Sequence, residues 1–293
     1  VTTLAQVHVA TEPPSAWSLV YEEFDPAREG IRESLCALGN GYFATRGAAA
    51  WADADAVHYP GTYLAGGYNR LRTDIQGRVV ENEDLVNLPN WLSLTFRIEN
   101  GEWFDLRAVT VRSYRQHLDL RRGVLSTAID IEDAQRRRTA LVERRFVSMS
   151  DMHLGALELA VKAENWSGRL TIRSAIDGRV VNTGAKLYRE FNNRHLRPID
   201  SEVIGDDAIL LRVRTSQSDV RIAQAAVTRA YLDEQLIGAP RTVSSERGYI
   251  AQQFTVELRQ DQMLKVEKLA LLYTSRDFAI SNCGVAACKA LSR

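Results

Sequence analysis

Cysteine is scarce in this chain: three in 293 residues, Cys36, Cys283 and Cys288. An odd, scattered set in a chain this long is no disulfide framework, and reduced thiols are expected. Histidine is nearly as rare. His8, His58, His117, His153 and His195 include no pair at i,i+4, and there is no Cys-x-x-Cys, so no metal site is read. A surplus of either charge is missing too. Lys plus Arg and Asp plus Glu are both 37, which argues against a uniformly basic nucleic-acid binder and against an acidic disordered tail. No run approaches the roughly 18 apolar residues of a membrane span. Val1–Ala10 has no charged segment followed by an apolar one, so no leader is read there. The chain begins on Val1 rather than Met, so its natural start is trimmed or lies upstream. The expectation is a cytoplasmic protein with no membrane and no nucleic-acid partner.

What is present is the mixture of a soluble globular domain, 45% hydrophobic and 25% charged residues. Strand patterns dominate. Trp91–Ile98 alternates with Leu92, Leu94, Phe96 and Ile98 on one face, and the hairpin signal Asn100-Gly101 follows. Leu157–Lys162 and Leu170–Arg173 alternate as well, the latter ahead of an Asp177-Gly178 turn. Tyr249–Leu258 puts Ile250, Phe254, Val256 and Leu258 on one side. Such runs recur with polar turns between them, which predicts an all-β chain: one large two-sheet antiparallel β-sandwich of about 12 to 18 strands. Leu159, Val161 and Ile172 are core candidates with the residues just named. Asp219–Leu236 is ambiguous, with strand alternation at Val220-Arg221-Ile222. Only the tail, from about Ser275 to Arg293, reads as helix. The predicted organisation is a β-sandwich over 1–277 and the start of a linker helix over 278–293.

The motifs yield no self-contained chemistry. Gly39-Asn40-Gly41-Tyr42 invites a phosphate-loop reading, but the next glycine is Gly47 and no Gly-Lys-Ser/Thr follows; strand, tight turn and strand fit better. Glu22-Glu23-Phe24-Asp25 and Glu81-Asn82-Glu83-Asp84 are carboxylate clusters. Acid–base catalysis needs two carboxyls converging across a cleft, whereas neighbours on a turn usually sit in water. No G-x-S-x-G elbow exists. Arg121-Arg122, Arg136-Arg137-Arg138 and Arg144-Arg145 lack interleaved aromatics and read as solvated charge. Asn165-Trp166-Ser167 is a glycosylation sequon that reads as a plain turn. Two long loops are read: His58–Leu71, with three glycines and three tyrosines, and the polar stretch Gly178–Asp200, with Asn182, Asn192, Asn193 and His195.

Taken as whole strings, several segments resemble the N-terminal domain of glycoside hydrolase family 65. Arg32-Glu33-Ser34-Leu35-Cys36-Ala37-Leu38-Gly39-Asn40-Gly41-Tyr42, followed by Arg46-Gly47, is similar to its opening, with Cys36 where an aromatic or aliphatic residue is commoner. Gly61-Thr62-Tyr63-Leu64-Ala65-Gly66, Leu85–Trp91, Leu118–Gly123, Arg144–Met149 and Lys268–Asp277 continue the series in order, from about Trp17 to Asp277.

The resemblance implies inverting disaccharide phosphorylases acting on maltose, trehalose, kojibiose and related α-glucosides, with some hydrolases. In these a β-sandwich precedes an (α/α)6 barrel that carries the general-acid Glu and the phosphate site. Phosphate attacks the anomeric carbon opposite the protonated leaving oxygen, so a single carboxyl acts as acid. On this reading the chain is a non-catalytic domain with no catalytic or metal residue and no cofactor, inorganic phosphate being the co-substrate of the full enzyme. Its partners are its own barrel and an α-linked glucose disaccharide, and a homodimer is a further partner the resemblance allows. The segment Tyr59–Arg70 is expected to face the barrel, with Tyr63, Tyr68 and Asn69 as substrate-cleft candidates and Gly61, Gly66 and Gly67 permitting close approach. The competing class is a free-standing carbohydrate-binding sandwich using Tyr63, Tyr68, Asn69 and Trp91 as a sugar platform, unless Trp91 is core.

Overall fold

The structure is a computed structural model that describes residues 16–183, 192–277 and 282–291. Strand β1 (Ser18–Tyr21) leads into helix α1 (Glu29–Leu35), followed by the short strands β2 (Leu38–Gly39), β3 (Phe43–Thr45) and β4 (Thr62–Leu64). The hairpin β5 (Tyr68–Ile75) and β6 (Arg78–Leu85) precedes β7 (Leu94–Ile98). Then come β8 (Thr110–Asp119), β9 (Val124–Glu132), β10 (Arg138–Val147), β11 (Leu154–Ala163) and β12 (Gly168–Asp177). The second half holds β13 (Leu196–Ile204), β14 (Ala208–Thr215), β15 (Arg221–Leu232), β16 (Gln235–Ile237), β17 (Thr242–Glu246), β18 (Tyr249–Leu258), β19 (Met263–Thr274) and helix α2 (Cys283–Leu291).

Two antiparallel sheets form the sandwich. The larger runs β1-β8-β9-β10-β11-β19-β15-β14-β13 with β16 added on β15, and the smaller runs β17-β18-β12-β7. Their inner faces share one core. All eleven residues that alternation places between sheets are buried there: Leu92, Leu94, Phe96, Leu157, Leu159, Val161, Leu170, Ile172, Phe254, Val256 and Leu258. Period-2 patterning works because one face of each strand is in the core. The 19 described strands exceed the expected range by one, since β2, β3, β4 and β16 have only two or three residues, too few to show alternation. Two further small sheets, β2-β3-β4 and β5-β6, sit beside the sandwich. The ambiguous stretch after Asp219 is strand over Arg221–Leu232.

Two expectations need correction. Asn100-Gly101 does not join paired strands: β7 pairs with β12, and the returning chain meets β7 through Gly101 N to Ile98 O and Phe104 N to Phe96 O without forming a strand. The helix α1 was not read from sequence. Its polarity is inverted, with Glu29, Arg32 and Glu33 buried while Ile31 and Leu35 are 64% and 57% exposed. An apolar-periodicity search cannot find a helix that buries its charges. At the other end, α2 covers the outer face of the large sheet, packing Cys283 and Ala287 on Leu210, Ala223 and Ala225. Cys36, Cys283 and Cys288 are all free thiols.

Candidate functional site

The most structured polar region holds α1 in its inverted orientation. Residues 29, 32 and 33 share one helical face because i, i+3 and i+4 coincide. Arg32 Nη1 donates to Glu29 Oε1 at 3.2 Å and to Glu23 O at 2.6 Å, with its guanidinium over the Tyr21 ring. Glu33 is 1% exposed. It accepts His58 Nδ1 at 3.0 Å, Tyr59 N at 3.0 Å and Arg46 Nη2 at 3.3 Å. Arg46 also donates to Ser34 Oγ at 2.6 Å, Gly30 O at 2.9 Å and Tyr59 O at 2.8 Å. Burial pulls the His58 pKa down, but the hydrogen bond and charge of Glu33 outweigh it, and the pKa is raised. Burial lifts Glu29 above the usual carboxylate range. Gly47 N donates to Glu33 O, and a Cβ on Gly47 would lie 2.7 Å from Cys36 Cβ. The Glu-Ser…Arg-Gly pattern is thus a fastening that fixes α1 and leaves Ile31 and Leu35 facing out.

The other motif strings are fastenings as well. Asn40 Oδ1 accepts Tyr42 N and Phe43 N, and Gly41 takes φ +86°, so Gly39–Tyr42 is the tight turn between β2 and β3. Asn40 Nδ2 donates to Ser148 O and Met152 O. Tyr42 donates to Asp277 Oδ1 at 2.7 Å and meets the His153 ring edge-on, and His153 stacks on Tyr273. Arg276 Nη1 donates to Gly66 O. These contacts bring the turn at Asn40, the Ser148–His153 turn, Gly66 and the end of β19 to one edge. Met149, Met152 and Tyr68 are exposed there, at 82%, 49% and 49%. Asn87 Oδ1 accepts Thr62 N, and Asn87 N donates to Asn182 Oδ1, tying β4 to the segment after β12.

The three cleft candidates separate. Tyr59–Arg70 is not a loop but β4, a turn at Ala65–Gly67 and the start of β5. Tyr68 is half exposed. Tyr63 is mostly buried near Tyr59 and Arg46, and burial raises its pKa. Asn69 is 1% exposed. Its Oδ1 accepts Gln217 N and Ser218 N, and its Nδ2 donates to His195 Nδ1 at 3.0 Å. It pins the turn after β14 and has no free face. His195 Nε2 lies 3.2 Å from Asp84 Oδ2; burial lowers the histidine pKa and Asp84 opposes it. Trp91 is core, 2% exposed, against Gly155, so it offers no sugar platform. Part of the Gly178–Asp200 stretch, 184–191, lies outside the described residues.

The carboxylate clusters do not converge. Glu22 pairs with Arg115, Glu81 with Arg72, and Glu83 with Arg70, all at the surface. Arg136–Arg138 form a solvated turn, with Arg137 on Asp133. Arg145 corrects the solvated reading. It is 2% exposed, and its Nη1 is 3.3 Å from buried Glu143, whose Oε2 accepts Ala50 N. Strand alternation turns Glu143 and Arg145 inward while Arg144 faces water, a distinction no local charge count makes. Among the described residues no group of three His, Cys, Asp or Glu side chains could hold a metal.

The fold and its polar motifs together define a two-sheet β-sandwich whose turns and helix α1 are fastened by side-chain hydrogen bonds. The profile of "Glycosyl hydrolase family 65, N-terminal domain" matches residues 19–293, and the chain belongs to that family. An uncharacterized glycosyl hydrolase of Mycobacterium tuberculosis is 43% identical over 96% of this chain and 21% of its own length. Kojibiose phosphorylase of Halothermothrix orenii is 27% identical over 89% of this chain and 31% of its own. A solved putative kojibiose phosphorylase from the human microbiome shares the fold, with a TM-score of 0.76 at 17% identity, over 94% of this chain and 34% of that one. The chain therefore spans only about a fifth to a third of the length of these proteins.

Proposed function

We infer that this chain is the non-catalytic N-terminal domain of an inverting α-glucoside phosphorylase or related glycosidase, supporting a catalytic barrel and shaping its sugar cleft. The observation that carries this reading is the match of nearly the whole chain to an N-terminal domain in proteins three to five times longer, several named as phosphorylases. Inorganic phosphate would be the co-substrate, an α-linked glucose disaccharide the substrate, and the cytoplasm the compartment. The barrel would rest on the apolar groups that face out: Ile31 and Leu35 on α1, and Met149 and Met152 at the edge where β19 ends. Tyr68 lies at that edge and is the strongest cleft candidate, while Tyr63 is mostly buried near Tyr59 and Arg46. Asn69 would act only by holding the turn at Gln217–Ser218. The test is phosphate uptake or release by the full-length protein across α-linked diglucosides. Phosphorolysis there and none by the 293-residue chain is expected. Turnover by this chain alone would overturn the non-catalytic role.

A further inference from the structure

The hairpin β5–β6 is a sheet of its own beside the sandwich, and a buried polar clasp holds its inward face. Asn69 on β5 and Asp84 on β6 are directly paired, so they share that face, while their neighbours Tyr68 and Arg70 alternate to the other side. His195, the residue before β13, is 1% exposed and meets both. The Asn69 amide is oriented by its oxygen. Oδ1 accepts Gln217 N and Ser218 N, both at 2.9 Å, in the turn between β14 and β15. Nδ2 is thereby aimed at the ring, donating to His195 Nδ1 at 3.0 Å and to Ser216 Oγ at 3.1 Å. Nδ1 must therefore carry a lone pair, and the ring proton sits on Nε2, 3.2 Å from Asp84 Oδ2. His195 O in turn accepts Ser216 N at 2.8 Å.

We propose that this clasp is an acid-sensitive latch, in which protonation of His195 releases the β5–β6 hairpin from the β14–β15 turn. A second ring proton can go only to Nδ1, which then points its N–H at the Asn69 NH2, donor against donor in a buried site. Turning the amide over does not help, because it would aim Nδ2 at the Gln217 and Ser218 N–H groups. Among the described residues the charged group facing the ring is Asp84, which favours the imidazolium; burial outweighs it, and the pKa is lowered. Arg70, Arg72, Glu81 and Glu83 on the hairpin, and Arg194 and Arg197 beside His195, are exposed and screened by water. A released ring takes its proton at about pH 6.5. The latch is thus fully closed above that value and loosens as pH falls below it. Tyr68 is on the strand that is let go, so its placement follows the latch. The device does not depend on the phosphorylase reading.

Amide hydrogen exchange of the 293-residue chain tests the latch, read residue by residue by NMR between pH 8 and pH 5.5 and corrected for intrinsic exchange rates. Protection of the Gln217 and Ser218 N–H groups is expected to fall over that range by up to about ten-fold relative to Leu159 N–H in the core. The His195 ring resonances should titrate with a midpoint below about pH 6.5. His195→Phe removes the titrating ring and should flatten the profile. Asn69→Asp keeps an oxygen for Gln217 and Ser218 and offers a second one to the imidazolium Nδ1–H, so protection should instead rise toward pH 5.5. A fall at Gln217 and Ser218 no larger than at Leu159, a His195 ring that titrates at or above about pH 6.5, or an undiminished fall in His195→Phe would each overturn the proposal.

Discussion

At Lys268 the ammonium has left water completely and donates to two main-chain carbonyls, Ser93 O at 2.9 Å and Ala175 O at 2.7 Å, both on the opposite side of the sandwich. Burial drives its pKa down to about 7. The unfolded chain keeps this proton up to about pH 10.4. Between the two values the unfolded state binds more protons, so this group makes stability rise with pH, by up to about 1.4 kcal/mol per unit. Denaturant unfolding at pH 7 and pH 9.5 should show that rise, and Lys268→Met should flatten it; equal slopes in the two proteins would refute the assignment. His58 works in the opposite sense. Its folded pKa is raised, so its contribution is complete below about pH 6.5 and fades as pH climbs through the folded value. Glu33→Gln should therefore cost about 3 kcal/mol or more near pH 6 and measurably less at pH 9. Asn69→Ala and Tyr68→Ala should diverge. The first removes partners of buried N–H groups and should lower stability by roughly 2 kcal/mol. The second should leave melting unchanged and, in the full-length protein, reduce kcat/KM for the proposed phosphorolysis by about ten-fold. A ten-fold loss for Asn69→Ala at unaltered stability would invert these roles.

Helix α1 is the element whose chemistry departs most from ordinary packing. Seven residues cannot hold a helix in water by propensity. This one is held by bonds that the Arg46 guanidinium, the His58 ring and the Tyr59 main-chain N–H make to Glu33 on its inward face. Its outward Ile31 and Leu35 contribute little to the stability of this chain. Ile31→Ser with Leu35→Ser should shift unfolding of the 293-residue chain by no more than about 0.5 kcal/mol. In the full-length protein the same pair should lower the melting temperature clearly, because there the face would be covered. An equal effect in both proteins would show that the helix docks nothing. Gly47→Ala tests the fastening from inside. Its Cβ would meet Cys36 Cβ at 2.7 Å and nearby backbone, and a loss of about 1–3 kcal/mol is expected in chemical denaturation.

For the whole molecule, one continuous core links two sheets, and α2 extends the packing on the outer face of the larger one. Three unbridged thiols fit that stability source. Cys36 is fully buried, and burial pushes its thiol up to about 11. A denaturing thiol assay without reductant should count three, with Cys36 the slowest to react in the folded protein; a count of one would indicate a bridge.

Alternation by itself determined the fold class and the core, because a strand with one face in oil and one in water writes its burial into every second residue: Leu157, Leu159 and Val161 were readable one by one. Motif order pointed to the family, and the structure shows that its motifs at Asn40, Arg46 and Gly47 fix tight turns and the fastening of α1. The sequence could not show that Asn69 is a clamp and Tyr68 a surface ring, since adjacent strand residues point to opposite sides and only the fold says which side holds the His195 pocket. Nor could it show α1, whose charges are buried by partners 13 to 25 residues away. The clasp of Asn69, Asp84 and His195 was equally hidden. Asn69 and His195 are 126 residues apart, and only the fold sets the inward face of the hairpin against that ring.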